Sequence, residues 1–330
     1  MHTEHRRDAL GIAVTGSTGH LGSVLIPMLL EQGYWVSCLF RKDKLDLESS
    51  QINWVQGQLH ESNRLESLLE GASVLIHCAS LISVGVGNNK EVLSVNVEGT
   101  QNLIDLCLKK KIRLVYISSS TATLPAKGKK TLDAKSSRVS SQAFYYGWTK
   151  AQAEQKILEA VDEKGLEAHI LRPTALLGPP DWKPSRFGRT IQDHYTGKLP
   201  LISSGGYDLL DIRDFSQTVI NSLNKGRNGE IYLTGGKFYS LKKLASLVNP
   251  SRVPPVISID LLLFILPLIR LYQKFVPLRW PINRESLMTI KRGPEIVDSS
   301  KAEKYLDHRT RPLEESINDL ILWMKNTEKL

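Results

Sequence analysis

The chain has 330 residues, 41% of them hydrophobic and 23% charged, which suits a soluble globular protein with one large α/β domain or a large and a small one. Its net charge of +9 favours anionic cofactors, nucleic acid or an acidic membrane surface. Nucleic acid is set aside, because the basic runs at Lys109 to Lys111 and Lys127 to Lys130 are short, lack interleaved aromatics and read as solvated helix-end and loop charges.

The first residues (His2, Glu4, Arg6, Arg7 and Asp8 among them) form no apolar stretch of the kind a signal peptide needs. A short apolar run, Leu10 to Val14, then leads into Thr15 to Gly22, T-G-S-T-G-H-L-G, and a helix-like run, Val24 to Leu30. In such a strand–turn–helix unit Gly16 allows a tight reversal, Gly19 lets backbone approach a pyrophosphate, and Gly22 lets the helix pack closely. The helix N-terminus offers unpaired N–H groups to the phosphates, so the unit reads as a nucleotide-binding turn.

Further strands are expected at Trp35 to Phe40, Ile52 to Val55, Ser73 to Cys78, Ile112 to Ile117 and Ala168 to Leu171. Helices are expected at Asn63 to Glu70, Lys90 to Lys109 and Gln142 to Val161. Near-continuous apolar strands alternating with helices predict an α/β fold, a doubly wound Rossmann-type parallel sheet covered on both faces. From Leu177 onward glycines and prolines break the regularity, and a smaller, mostly helical lobe is expected to shape a substrate pocket. The expected division is a dinucleotide-binding domain over 1–180, with returns to the sheet at Leu209 to Phe215 and Glu230 to Thr234, and a substrate lobe over 181–208 and 235–330.

Within the lobe, Leu261 to Ile269 is nine apolar residues, too short to span a bilayer, which takes ~20. It reads first as a helix packed on the core or capping an apolar pocket. The second reading is a monotopic membrane contact helped by Arg270, Lys274, Arg279 and Arg284. The three cysteines, Cys38, Cys78 and Cys107, lie in apolar segments and have no zinc spacing, which predicts reduced core thiols, no metal site and a reducing, cytoplasmic setting.

Tyr146 and Lys150 stand four residues apart in a predicted helix, on one face, so a phenol and an ammonium point into one site. A nearby cation stabilises phenolate and makes tyrosine usable as an acid or base near neutral pH. Two histidines invite a role: His169 reads as a satisfied core histidine, whereas His194, with Tyr195, falls in the lobe where it could line a pocket.

Together these segments resemble the extended short-chain dehydrogenase/reductase family over nearly the whole chain. Thr15 to Gly22 matches T-G-x-x-G-x-x-G, and His77 to Ser80 resembles the motif closing the fourth strand. Asn96 to Thr100 matches N-x-x-G-T, Val115 to Ser120 the serine-ended fifth strand, and Tyr146, Lys150 and Glu154 the pattern Y-x-x-x-K-x-x-x-E. Leu171 to Pro179 matches R-P-x-x-x-x-G-P and Asp211 to Asp214 matches D-x-x-D, while Asp298 to Ala302, Arg311 and Trp323 resemble the C-terminal tail.

The resemblance implies hydride transfer with Tyr146 as proton donor or acceptor. Lys150 would lower the tyrosine's pKa and hold the nicotinamide ribose. Ser120 would orient the substrate oxygen, with Ser119 and Thr121 as neighbouring alternatives, and Asn96 would brace helix and strand. Implied cofactor contacts are Gly16, Thr18, Gly19, His20 and Leu21 in the turn, then Arg41 and Lys42, Gln58 and Leu59, Cys78, Ala79 and Ser80, and finally Lys150 and Pro173. Arg41 and Lys42, where an NAD-specific chain would carry a carboxylate, favour NADP(H); NAD(H) stays open if Arg41 only stacks on adenine. Gln58 replaces the family's usual aspartate, which makes its adenine contact less secure.

Arg41, the His77 to Ser80 segment and the C-terminal tail look closest to dihydroflavonol-reductase-like and 3β-hydroxysteroid-dehydrogenase-like members, which implies a ketone or secondary alcohol of a fairly apolar molecule, sterol-, flavonoid- or lipid-like. The alternatives are a nucleotide-sugar epimerase or dehydratase with retained NAD, using Arg186, Arg189 and Arg213 on a diphosphate, and a non-catalytic nucleotide-binding protein. A homodimer through the helices at Lys90 to Lys109 and Gln142 to Val161 is implied by many relatives.

Overall fold

The computed structural model describes residues 10–82, 89–140, 144–273, 275 and 282–330. Seven strands form the central sheet: β1 (Gly11–Thr15), β2 (Trp35–Phe40), β3 (Ile52–Gln56), β4 (Val74–His77), β5 (Arg113–Ile117), β6 (Ala168–Pro173) and, after the strands β7 (Ala175–Leu177) and β8 (Gly206–Asp211), β9 (Ile231–Thr234). Their order is β9-β6-β5-β4-β1-β2-β3 and all neighbours pair in parallel.

Side chains alternate across the sheet, so one strand feeds two cores. Ile12 and Val14 of β1 pack with Leu25 and Leu29 of helix α1 (His20–Glu31) and with Phe215 and Val219 of a later helix. Ala13, between them, faces the other side with Leu103, Ile104 and Ile157. That second side carries α2 (Ser62–Leu68), α3 (Asn89–Leu93), a π turn at Ser94–Glu98, α4 (Gly99–Lys110) and α5 (Tyr145–Lys164). Burial on both faces is why these strands read as unbroken apolar runs. The strand order reverses between β1 and β4, so the crevice at their C-terminal ends, at Thr15 and His77, is where a doubly wound sheet accepts a ligand.

The apolar stretch expected to rejoin the sheet over 209–215 does not do so. β8 ends at Asp211, whose side chain accepts a 2.8 Å hydrogen bond from the Arg213 N–H and caps α7 (Ile212–Lys225). β8 is instead the middle of a three-stranded sheet, parallel to β7 and antiparallel to β10 (Lys237–Ser240); only β9 returns to the central sheet, as its edge. The small sheet shares a core (Leu177, Leu209, Tyr239, Leu244, Ile317) with α6 (Arg186–Tyr195), α8 (Leu241–Val248) and the last helix. Beyond α8 come α9 (Ile259–Gln273), α10 (Arg284–Arg292), α11 (Ser300–Leu306) and α12 (Leu313–Asn326). α11 returns Ala302 and Leu306 to the main core.

Cys38 and Cys107 are buried and Cys78 half-buried, and all three are free. Among the described residues no helix is long and apolar enough to cross a membrane. Lys274, Arg279 and Gln142 lie outside the described residues, as do the residues before Leu10.

Candidate active site

The glycine-rich turn is shaped for close approach. Gly16 has φ +71°, and a Cβ there would lie 2.7 Å from the Ala79 nitrogen, so β1 and the segment after β4 close against each other only without a side chain. A Cβ on Gly22 would meet the Gly16 and Ser17 carbonyl oxygens at 2.5 Å. Gly19, by contrast, is exposed and meets only the Gly16 carbonyl, at 3.2 Å. It is the N-cap of α1, no side chain caps that helix, and its first turn holds no acidic residue. The unpaired N–H groups and the positive end of the helix dipole are therefore open to an anion, which fits a dinucleotide's pyrophosphate.

Thr18 is half-buried and Leu21 buried in this turn. Ser17 ties it to β2 by donating to the Leu39 carbonyl at 2.5 Å. His20 ties it to the R-P-x-x-x-x-G-P segment, its Nε2–H donating to the Gly178 carbonyl at 2.8 Å. Arg41 and Lys42 follow β2 on the surface and form no ion pair among the described residues. Gln58 keeps an exposed side chain while its N–H donates to Glu61 at 2.6 Å. Leu59 is buried beneath α4, where a Cβ on Gly99 would come within 2.8 Å of it. Pro173, at the C-terminal end of β6, is buried opposite Thr234.

A buried hydrogen-bond chain fixes the end of β4. Thr100 donates its one hydroxyl proton to the Asn96 carbonyl (2.8 Å), so it can only accept from His77 Nε2 (3.1 Å). His77 Nδ1 then accepts from Thr15 (2.6 Å), whose oxygen in turn accepts from the Ala79 N–H at 3.3 Å. His77 is therefore the Nε2–H tautomer, and burial lowers its pKa to about 3, which keeps it neutral. The Cys78 thiol beside it is pushed up to about 12 by burial and stays protonated.

Asn96 sits in the π turn and uses all its amide capacity. Its Nδ2 donates to the Leu81 carbonyl and to Thr149 Oγ1, both at 3.0 Å, and its Oδ1 accepts from the Leu81 N–H (2.8 Å) and from Ser80 (3.1 Å). Thr149 donates onward to the Tyr146 carbonyl at 2.8 Å. The residue expected to brace helix and strand thus joins the loop after β4 to the helix that bears Tyr146 and Lys150.

That helix, α5, lies directly on the Ser120–Ala122 turn, because a Cβ on Gly147 would come within 2.2 Å of the Thr121 carbonyl oxygen. Of the three candidate hydroxyls, Ser119 accepts from the Thr121 N–H (3.2 Å) and hydroxyl (2.8 Å). Ser120 has a half-buried side chain that bonds no other described residue. The Thr121 proton is thus taken up by Ser119, while Ser119 and Ser120 each keep a hydroxyl proton to donate.

Lys150 is buried, donates to the Ile117 carbonyl at 2.6 Å and lies 4.3 Å from the Tyr116 ring centre. Burial lowers its pKa to about 7, resisted by the carboxylate of Glu154 one turn on. Glu154 is itself held by Arg172 through two hydrogen bonds of 2.8 and 2.6 Å, both side chains buried. Tyr146 is half-buried; burial raises its phenol pKa, opposed by a hydrogen bond with Ser80 and by the charge of Arg186.

The charge that opposes the rise is thus that of Arg186, considered in the sequence only for a diphosphate, where Lys150 was expected to lower the tyrosine's pKa. Arg186 opens α6, whose N-cap Ser185 accepts from the Gly188 N–H (2.9 Å) and donates to Asp181 (2.8 Å), and its guanidinium donates to the Ile82 carbonyl at 3.3 Å. Of the two other arginines weighed with it, Arg189 is exposed on α6 and Arg213 is bound to Asp211 (2.7 Å) and Asp319 (2.7 Å). Asp214 holds Arg311 at 2.8 Å, so the D-x-x-D segment fastens the C-terminal tail.

His194 braces α6 to α8 by donating to the Ala245 carbonyl at 2.8 Å, and Tyr195 accepts from Asn249 at 3.3 Å. His169 is buried as expected but is not satisfied: neither ring nitrogen has a hydrogen-bond partner among the described residues. It packs against Gly226 and edge-on to Tyr232, and burial lowers its pKa to about 3, which keeps it neutral.

A doubly wound sheet with a glycine turn at its switch point and a serine, tyrosine and lysine beside it defines a Rossmann-type nicotinamide-dinucleotide enzyme. The chain belongs to the NAD dependent epimerase/dehydratase family, whose model matches residues 12–235, within the extended short-chain dehydrogenases/reductases. It is accordingly an NAD(P)-dependent enzyme of the dehydrogenase/reductase type. It is 31% identical over 328 residues to the sterol demethylase protein B of Methylococcus capsulatus, covering 94% of this chain and 97% of the relative. It is 27% identical over 337 residues to a putative dihydroflavonol 4-reductase of Synechocystis, covering 95% and 94% of the two chains. Among solved structures, that of gox2253 superposes with a TM-score of 0.82 at 25% identity, covering 98% of this chain and all of the other.

Proposed function

We propose that this chain is an NADP(H)-dependent oxidoreductase that oxidises a secondary alcohol, or reduces the corresponding ketone, on an apolar, sterol-like molecule. The observation that carries the reading is the grouping of Ser120, Tyr146 and Lys150 beside an uncapped, acid-free helix N-terminus at the switch point of the sheet. Likeness to a sterol demethylase protein along nearly the whole of both chains supports the substrate class. The exposed cations Arg41 and Lys42 at the end of β2 support a 2′-phosphate on the cofactor. Supply of the substrate from a bilayer surface is part of the same reading.

When bound, the nicotinamide accepts or delivers the hydride. The chain's own residues handle the oxygen and its proton. Ser120 donates a hydrogen bond to the substrate oxygen and fixes the carbon's orientation. Tyr146 passes its phenolic proton to that oxygen in reduction and takes it back in oxidation. Arg186 stabilises the phenolate, offsetting the burial that disfavours it, while Lys150 holds the ribose hydroxyls through its ammonium. Asn96 keeps the Ser80 loop and α5 in register, so the oxygen and the phenol meet at a set distance.

The test is a fluorescence titration of purified protein with NADPH, NADH and a UDP-sugar, followed by turnover on 3-hydroxy- and 3-ketosteroids. NADPH binding to cofactor-free protein with steroid turnover is the expected result. Retained NAD with UDP-sugar binding would overturn it in favour of an epimerase or dehydratase.

A further inference from the structure

α9 is apolar along most of its length, its charges being Asp260 at the start, paired with Lys291 of α10, and Arg270 near the end, and the described residues cover only one side of it. Ile259, Leu262 and Leu266 pack into a small core with Leu287 of α10. On the other side Leu261, Phe264, Leu268 and Leu271 follow one another three or four residues apart, the spacing of a single helix face, and all are exposed, as is Phe275 beyond the end of the helix. Phe264 is 82% exposed, Leu268 70% and Phe275 78%, with Tyr272 beside them. Soluble surfaces carry such residues singly; a continuous row marks a contact.

The charge around this face selects its partner. Arg270 on α9 and Arg284 and Arg292 on α10, the helix packed on it, are exposed cations, in a chain of net charge +9. Arg284 and Arg292 also line, with Lys127 and Arg138, a cavity of about 430 Å³ that has no carboxylate among its described lining residues. A second copy of the chain would cover the apolar row but bring like charges together around it. An anionic bilayer satisfies both, with acyl chains for the row and headgroups for the cations.

α10 links this face to the chemistry. Its Leu287 packs into the core beneath α9, while its Glu285 accepts a 3.2 Å hydrogen bond from the Tyr146 N–H. We infer that the outward face of α9 docks the protein on an anionic bilayer surface, and that the apolar substrate reaches Tyr146 from that bilayer past α10. The delivery step rests on the oxidoreductase reading; the docking face does not.

The experiment is flotation of the purified full-length chain with phosphatidylcholine vesicles containing about a quarter phosphatidylglycerol, against phosphatidylcholine alone. The chain is expected to float with the mixed vesicles and roughly 10-fold more weakly with the neutral ones. Phe264→Ser with Leu268→Ser should weaken binding to mixed vesicles by roughly 30-fold or more, with NADPH binding unchanged. Phe264→Trp should retain binding and show emission quenched by brominated acyl chains. Wild-type protein that ignores mixed vesicles, a double variant that floats like wild type, or an unquenched indole would each overturn the proposal. So would a double variant that turns a dimer into a monomer while the wild type ignores vesicles, because a second copy then covers the row. Failure of the oxidoreductase reading would be seen separately, as lost cofactor binding with flotation intact.

Discussion

Glu154→Gln should test both the stability and the chemistry of the site. Arg172 grips this carboxylate by two hydrogen bonds of 2.8 and 2.6 Å, with Arg138 approaching at 3.8 Å, and Glu154 is fully buried. Replacing the carboxylate by an amide keeps the shape but turns one acceptor into a donor facing a guanidinium N–H, and strands a buried cation. Breaking a buried pair on one side costs about 3–5 kcal/mol, and the remaining amide oxygen places the loss near the lower figure. For a chain of this size about 3 kcal/mol corresponds to a fall in Tm of roughly 4 °C. The same carboxylate keeps the Lys150 pKa from falling further below its value of about 7. Its removal should therefore move the alkaline limb of the kcat/KM profile to lower pH, since Lys150 loses its proton sooner. Thermal unfolding by circular dichroism and a pH–rate series read the two effects. Glu154→Leu with Arg172→Met is the control, expected to be more stable than Glu154→Gln because no charge is left stranded. An unchanged Tm together with an unmoved limb would refute the reasoning.

Three further outcomes are expected. Tyr146→Phe should lower turnover by roughly 10²-fold while NADPH binding, followed by fluorescence, stays near wild type; unchanged turnover would remove the proton role. Arg41→Ala should weaken NADPH far more than NADH, and equal losses would remove the basis for the 2′-phosphate assignment. Lys150→Met should be more stable than wild type in acid and lose that advantage in alkali. The folded pKa of about 7 lies below the ordinary 10.5, so the folded state carries the full burial penalty below about 7 and sheds it as pH rises towards 10.5. A Tm difference that does not shrink with pH would contradict the buried-ammonium account.

Much of this molecule is legible in its sequence because the features concerned are local. Apolar runs alternating with helical periods specify a parallel sheet, and the T-G-S-T-G-H-L-G turn specifies its own backbone, since Gly16 and Gly22 leave no room for a Cβ. Tyr146 and Lys150 are one helical turn apart in any helix, so their common face needs no tertiary knowledge. What the sequence left open depends on partners far away in the chain. The strand read at 209–215 became a cap and a helix because Asp211 bonds the Arg213 N–H, and β8 found its neighbours in β7 and β10. Which serine turns its proton to a substrate depends on the local turn, where Ser119 already accepts twice from Thr121, and His169 is buried without the partners expected of it.

Arg186 carried no mark in the sequence of its influence on the phenol: the Asp181–Ser185 cap starts α6 at this residue, and its charge acts on Tyr146, forty residues earlier in the chain. The nine-residue apolar run was equally ambiguous, since hydropathy cannot say which face of an apolar run is covered; only the packing of α10 left Phe264 and Leu268 outside. Short-range sterics and periodicity therefore determined the scaffold and the paired phenol and ammonium. Which charges surround them, and which surface stays bare, was decided by the tertiary fold, because burial and electrostatics are properties of three-dimensional neighbours.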